Sequence, residues 1–160
     1  MAGEGSQRHM RNFKKEITDR AELEEVLAKA EVLFLALHDA PAPYVIPLNF
    51  AYADGALWFH GALEGTKLNL IRRDPRVGFS TVIEARVVPA PAACDSNALG
   101  SSVVGRGTAR LCTDPEERRH GLDALMRHHG IAAPEYRADS VDRTCVVRID
   151  VEELRGKRLA

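Results

Sequence analysis

At 160 residues and 45% hydrophobic content the chain can bury one substantial core, but it is short for two ordinary domains. Its 22 lysines and arginines nearly balance 23 aspartates and glutamates, which argues against partnership with nucleic acid or an anionic membrane, so any anion site has to be local. Cys94, Cys112 and Cys145 form no C-x-x-C pair, which excludes a zinc or dithiol motif, and with no signal-peptide core and no run of roughly 18 apolar residues the expectation is a cytoplasmic, unexported chain.

Residues 1–12 are small, polar and aperiodic and are expected to form a disordered arm ahead of one domain over residues 13–160. A helix is predicted from Asp19 to Ala30, because Leu23, Val26, Leu27 and Ala30 recur at helical spacing and Asp19 with Glu22 forms a capping box. Val32 to His38 is a short apolar run that reads as a buried strand, stopped at Asp39-Ala40-Pro41. Pro43 to Tyr52 is a second strand, which Pro47 requires to be bulged or at an edge, since proline donates nothing to a ladder. Asp54-Gly55 then supplies the positive φ angles of a tight hairpin turn into a strand over Ala56 to Ala62.

After Gly65, the residues Leu68, Leu70 and Ile71 predict a short helix ending at Asp74-Pro75. Arg76 to Pro89 reads as a long strand, Pro89 to Leu99 as a loop, and Ser101 to Cys112 as a strand bulged near Gly105 and Gly107. Thr113 and Glu116 predict a capping box for a helix to Gly130, with Leu122, Leu125, Met126 and His129 as its apolar stripe. Cys145, Val147, Ile149 and Val151 alternate with polar residues as in a half-buried strand, and the polar tail from Glu152 is unassigned. Hairpin-scale links exclude a doubly wound parallel sheet, leaving a mainly antiparallel barrel with peripheral helices.

Chemistry concentrates between Trp58 and Lys67. The chain runs off a strand through small residues into a helix start bearing the Thr66 hydroxyl and the Lys67 ammonium, where free helical N–H groups and the macrodipole favour a phosphate. The plainer alternative leaves Thr66 as a helix cap and Lys67 as a solvated side chain. His60 is open to three roles: hydrogen-bonding a cofactor, ligating an iron, or forming part of the barrel wall. His128 and His129 point about 100° apart on one helix, cannot jointly hold a metal in the usual i, i+4 manner, and are expected at the surface. No motif places a base beside Ser101, Ser102 or a cysteine, so covalent catalysis is not expected, and no catalytic residue or metal site is assigned.

Three segments in this order, Pro43 to Phe50, Trp58 to Lys67 and Ser102 to Gly107, resemble the flavin-binding split barrels related to pyridoxamine 5'-phosphate oxidase, and within them the nitroimidazole-resistance proteins. The resemblance implies a mainly β (α+β) fold, a six-stranded antiparallel split β-barrel of Greek-key type with peripheral helices. It also implies a homodimer with flavin mononucleotide (FMN) at the subunit interface and an oxidoreductase passing electrons from a reduced nicotinamide to a small aromatic or nitroaromatic acceptor. The ring edge would lie on the backbone of Pro47, Leu48, Asn49 and Phe50, with the phosphate at Thr66 and Lys67. His60, Gly61 and Ala62 would line the same groove, and Ser102 and Val103 would complete it. Many relatives in the family it resembles carry two basic residues where this chain has Thr66-Lys67, so one ammonium and one hydroxyl remain for the phosphate. The alternatives are haem, with His60 as an axial ligand, a deazaflavin, or a flavin bound without turnover by a sensor or stress protein.

Overall fold

The computed structural model describes residues 10–159, so most of the expected N-terminal arm lies outside the described residues. A 3-10 turn at Phe13–Lys15 leads into β1 (Glu16–Ile17), followed by α1 (Arg20–Lys29), β2 (Val32–Leu37), β3 (Tyr44–Asn49), β4 (Ala51–Ala53) and β5 (Ala56–Gly61). Then come α2 (Thr66–Arg73), β6 (Arg76–Val88), a 3-10 turn at Ala93–Asp95, β7 (Asn97–Leu111), α3 (Pro115–His128), α4 (Ala138–Asp142) and β8 (Cys145–Arg158). All strand pairs are antiparallel, in the order β3-β2-β6-β7-β8-β5-β4, with β1 added on β8. The two ends of that order, β3 and β4, are joined through the single residue Phe50, so the sheet rolls around its core while the seam stays unbonded.

The expected mainly antiparallel α+β architecture is present, but eight strands replace six. One addition is the two-residue β1, too short to leave a pattern; the other arises because the expected Pro43–Tyr52 strand breaks at Phe50. The polar tail is also strand: β8 runs to Arg158, its outward Glu153 bonded by Arg106 across the ladder while Gly156 is buried against Leu23 and Ile17. These polar residues pair with one another across and along strands, so they carry no apolar alternation. A register shift between Arg106 and Gly107 sits at the expected glycine pair, where a side chain on Gly107 would strike the Asp150 carbonyl.

Local chemistry explains the element ends. Asp19 caps α1, its Oδ1 accepting from the N–H groups of Ala21 (2.7 Å) and Glu22 (3.2 Å). The cap of α3 is Asp114, accepting from the Glu117 N–H at 2.8 Å, rather than the expected Thr113. Pro115 explains the shift, because its fixed φ suits the first helical position and holds the preceding residue extended. Asp54 (φ 52°) and Gly55 (φ 74°) both lie left-handed, as the hairpin turn requires.

The barrel interior holds Leu33, Leu35, Leu37, Leu57, Phe59, Phe79, Val103, Val147 and Ile149, joined by Leu23 and Leu27 of α1 and Leu68 and Ile71 of α2. A second cluster lies outside the sheet, where α3 packs Leu122, Ala124 and Leu125 on Trp58 and Val146. β2 is not buried on both faces as expected: Val32 and Phe34 point outward, with Phe34 46% exposed. They form a continuous apolar face with Val45, Val82 and Val104, because Phe34 lies opposite Pro47 on one side and Ser80 on the other, and Ser80 lies opposite Val104.

Candidate functional site

The seam between β3 and β4 forms a fork. β4 is zipped to β5, with Ala51 opposite Trp58, whereas the residue before the break, Asn49, lies opposite Val32 on β2. Continued past Phe50, the β4 register would set Asn49 against His60 and Pro47 against Ala62; instead the two prongs part there. Facing each other across the gap are the free edge of β3 and the edge of Phe59–Gly61, neither with a strand partner among the described residues. Backbone N–H and C=O groups on such edges are unspent donors and acceptors. Pro47 fits this position: its strand is an edge and its register with β2 is unbroken, so it is edge-like and not bulged.

Past the β5 prong the chain turns at Gly65, whose φ of 132° lies in the region that favours glycine, and enters α2. No side chain caps this helix, so Thr66 is its first residue and not its cap. The first helical bonds run from the N–H groups of Leu68 and Asn69 to the Gly65 carbonyl, both at 3.1 Å, leaving the Thr66 and Lys67 amides ahead of them. The Lys67 ammonium folds back towards the fork, 5.6 Å from the centroid of the Phe59 ring and close enough to Gly61 that a Cβ there would sit 2.9 Å from Nζ. Among the described residues no carboxylate lies within ion-pair reach of it.

His60 lies on the outward face of β5, the face opposite Phe59 and Gly61, within electrostatic reach of this ammonium. It is exposed, yet enough protein surrounds the ring that burial is the first of three causes holding its pKa below the usual histidine value; the Lys67 charge is the second and His129 the third. Among the described residues, the Lys67 charge at the fork therefore stands without a carboxylate in ion-pair reach. Neither buried cysteine offers a thiolate. Burial and then the Glu117 charge push Cys112 up to about 12, and burial raises Cys145. Among the described residues no three metal-ligating side chains converge.

Of the eleven residues expected to bind a cofactor, nine border the fork: Pro47, Leu48, Asn49, Phe50, His60, Gly61, Ala62, Thr66 and Lys67. Leu48 and Phe50 are buried, so they face the gap with backbone alone, while Pro47 and Asn49 point outward. Ser102 and Val103 stand apart. Val103 is fully buried in the barrel, and Ser102 lies on β7, separated from β3 by β2 and β6, roughly 14 Å away at ordinary strand spacing. His128 is not at the surface as expected; it is half-buried, packed on Phe50 and bonded to Ala30. The buried stripe of α3 runs through Gly121, Leu122, Ala124 and Leu125 and reaches His128 at i+3 and i+4, a spacing present in the sequence, while His129 is exposed.

Comparison with known proteins places this geometry among relatives. A family model described as pyridoxamine 5'-phosphate oxidase matches residues 19–158. A solved structure of a candidate 5-nitroimidazole antibiotic resistance protein from Bacteroides thetaiotaomicron is 29% identical, with a TM-score of 0.80 over 89% of this chain and 85% of that one. An FAD and haem binding protein from Mycobacterium smegmatis shares the fold at 19% identity, with a TM-score of 0.81 over 91% of this chain and 73% of that one. The flavocytochrome Anf3 from Azotobacter vinelandii does so at 18% identity, with a TM-score of 0.78 over 98% and 75%. No curated protein matches the sequence.

Proposed function

Because this chain belongs to the pyridoxamine 5'-phosphate oxidase family, we propose that it holds FMN in the fork, at the interface of a homodimer, and that the bound flavin carries electrons from a reduced nicotinamide to a small aromatic or nitroaromatic acceptor. The observation that carries this reading is the fork itself. Two unpaired backbone edges match the alternating donors and acceptors on the rim of a planar heterocycle, and one end of the gap holds an unneutralised ammonium beside free helical amides, as a phosphate requires.

When bound, the flavin supplies the redox chemistry. The residues of this chain bind and orient it: the Pro47–Phe50 backbone reads the ring edge, and Thr66 and Lys67 hold the phosphate. Gly61 leaves the space in which the Lys67 ammonium lies. Among the described residues, nothing at the fork pairs a nucleophile with a base, which suits a reaction in which the cofactor does the chemistry. The apolar face of Val32, Phe34, Val45, Val82 and Val104 adjoins Pro47 and Asn49, and a second copy covering it would cover the flavin too. That copy would also account for Ser102, which the fold holds away from the fork of its own chain. A haem reading keeps one supporting observation, the exposed His60 ring at the fork, together with the descriptions of the mycobacterial and Azotobacter neighbours.

Purified in the dark, the protein is expected to show flavin absorbance or to take up added FMN, to oxidise a reduced nicotinamide in the presence of a nitroaromatic acceptor, and to sediment as a dimer that Phe34→Asp dissociates. A colourless protein that takes up no flavin ends the proposal. A Soret band lost in His60→Ala replaces it with the haem reading, and flavin without turnover reduces it to binding alone.

A further inference from the structure

The end of α3 carries a side chain that the flavin reading leaves without a role. His128 lies with Nε2 2.8 Å from the Ala30 carbonyl oxygen, and its ring centroid is 5.4 Å from that of Phe50 at a 45° tilt. A carbonyl oxygen only accepts, so Nε2 carries the proton and donates it. Ala30 is the residue that ends α1, just ahead of β2, and Phe50 is the point at which the fork divides. One imidazole therefore contacts both the dividing residue and the α1–β2 junction, which leads into the strand that carries β3.

The two prongs are carried by different parts of the molecule. α3 belongs with β4 and β5: Gly121 lets the helix lie against Trp58, where a Cβ would meet Cε3 at 2.5 Å, and His120 Nε2 is 2.9 Å from the Asp54 carboxylate in the β4–β5 turn. β3 instead follows β2, to which it is paired along its whole length from Tyr44 to Asn49. The bond from His128 to Ala30 joins the first assembly to the second beside the hinge. Tyr52 also links β4 to α1, donating to Glu24 at 2.8 Å, but does so through long side chains shared with exposed Arg20 and not at the hinge.

We propose that His128 is a positioning residue that braces the fork, holding the β3 edge at a set distance from His60 and so keeping the gap at the width its ligand needs. The brace belongs to the free protein; only the identity of the ligand rests on the flavin reading. The bond and the ring contact act together, since the contact places the ring and the bond fixes its direction.

The test compares His128→Ala, His128→Gln and His128→Phe with the wild type, all free of flavin, by amide hydrogen exchange and then by titration with FMN. His128→Ala is expected to speed exchange at Asn49, Phe50 and Ala51 relative to β8, and to weaken FMN binding about tenfold, the scale of one lost hydrogen bond. His128→Gln keeps a donor at the same reach and is expected to restore both; His128→Phe keeps only the ring contact and stays impaired. Unchanged exchange at the hinge in His128→Ala overturns the proposal. So does a glutamine variant no better than the phenylalanine one, a comparison that holds even where alanine fails to fold. If the wild type takes up no FMN, the flavin reading falls while the exchange data still decide the brace.

Discussion

Replacing Lys67 with alanine isolates the part of the site that recognises phosphate. A hydrogen bond to a charged group contributes about 1.5–3 kcal/mol. Lys67 is half-buried, so water screens part of its charge, and about 1–2 kcal/mol is expected to be lost, a rise of roughly 5- to 30-fold in the FMN dissociation constant. The cost to the fold is smaller, since the ammonium has no carboxylate partner among the described residues and the contact over Phe59 contributes about 0.5 kcal/mol at a partly exposed position. Titration by quenching of flavin fluorescence, run in parallel with FMN and with riboflavin, separates the two effects, because riboflavin has the ring and no phosphate. The expected result is weakened FMN binding with riboflavin unchanged. Gly61→Ala should show the same selectivity at smaller amplitude, because the new Cβ displaces the flexible end of Lys67 and not backbone. Equal losses for both flavins, or no loss for either, would place the phosphate elsewhere and refute the assignment of this corner.

Two further outcomes follow from packing and from charge. Gly121→Ala gains up to about 1 kcal/mol of helix propensity but forces a methyl group to 2.5 Å from Trp58 and 2.7 Å from Val146, so denaturant unfolding should show a net loss of about 1–2 kcal/mol; a more stable variant would contradict the close approach of α3 to β5. The His60 pKa is depressed by burial, Lys67 and His129, so the neutral ring is the favoured form in the fold. Its contribution to stability is present above the unfolded histidine value of about 6.5 and is lost as pH falls through the lower folded value. Adding FMN, with its phosphate charge, should raise the His60 pKa measured by NMR, and riboflavin should not; a His60 that titrates alike in all three states would separate it from the phosphate.

Much of the architecture was legible because it is local. Helical spacing identified α1, α2 and α3, a capping aspartate fixed the start of α1, Asp54-Gly55 fixed a hairpin turn, and the run from Trp58 to Lys67 identified a strand passing into a helix start. Pro47 announced a strand that had to be either bulged or at an edge, and the unbroken register with β2 decided for the edge. His128 was missed although the buried stripe of α3 reaches it, because a histidine at a helix end reads equally well as solvated. The β8 tail was missed because its polar residues, bonded to Arg106, Thr108 and Glu22 on other elements, leave no apolar alternation to read.

The division of the chain at Phe50 could not be read locally. Tyr44 to Ala53 is one extended stretch by composition, and nothing within it says that its first half pairs with β2 and its second with β5. That choice depends on strands far along the chain, on α3 lying against Trp58, and on an imidazole 98 residues from the carbonyl it binds. The amino-acid order by itself thus placed most of the strands and the three longer helices and marked the helix start at Thr66-Lys67, since those follow from side-chain periodicity and turn chemistry. Only the tertiary structure decided which backbone edges remain unpaired, because an edge is free only when every other strand has found its partner.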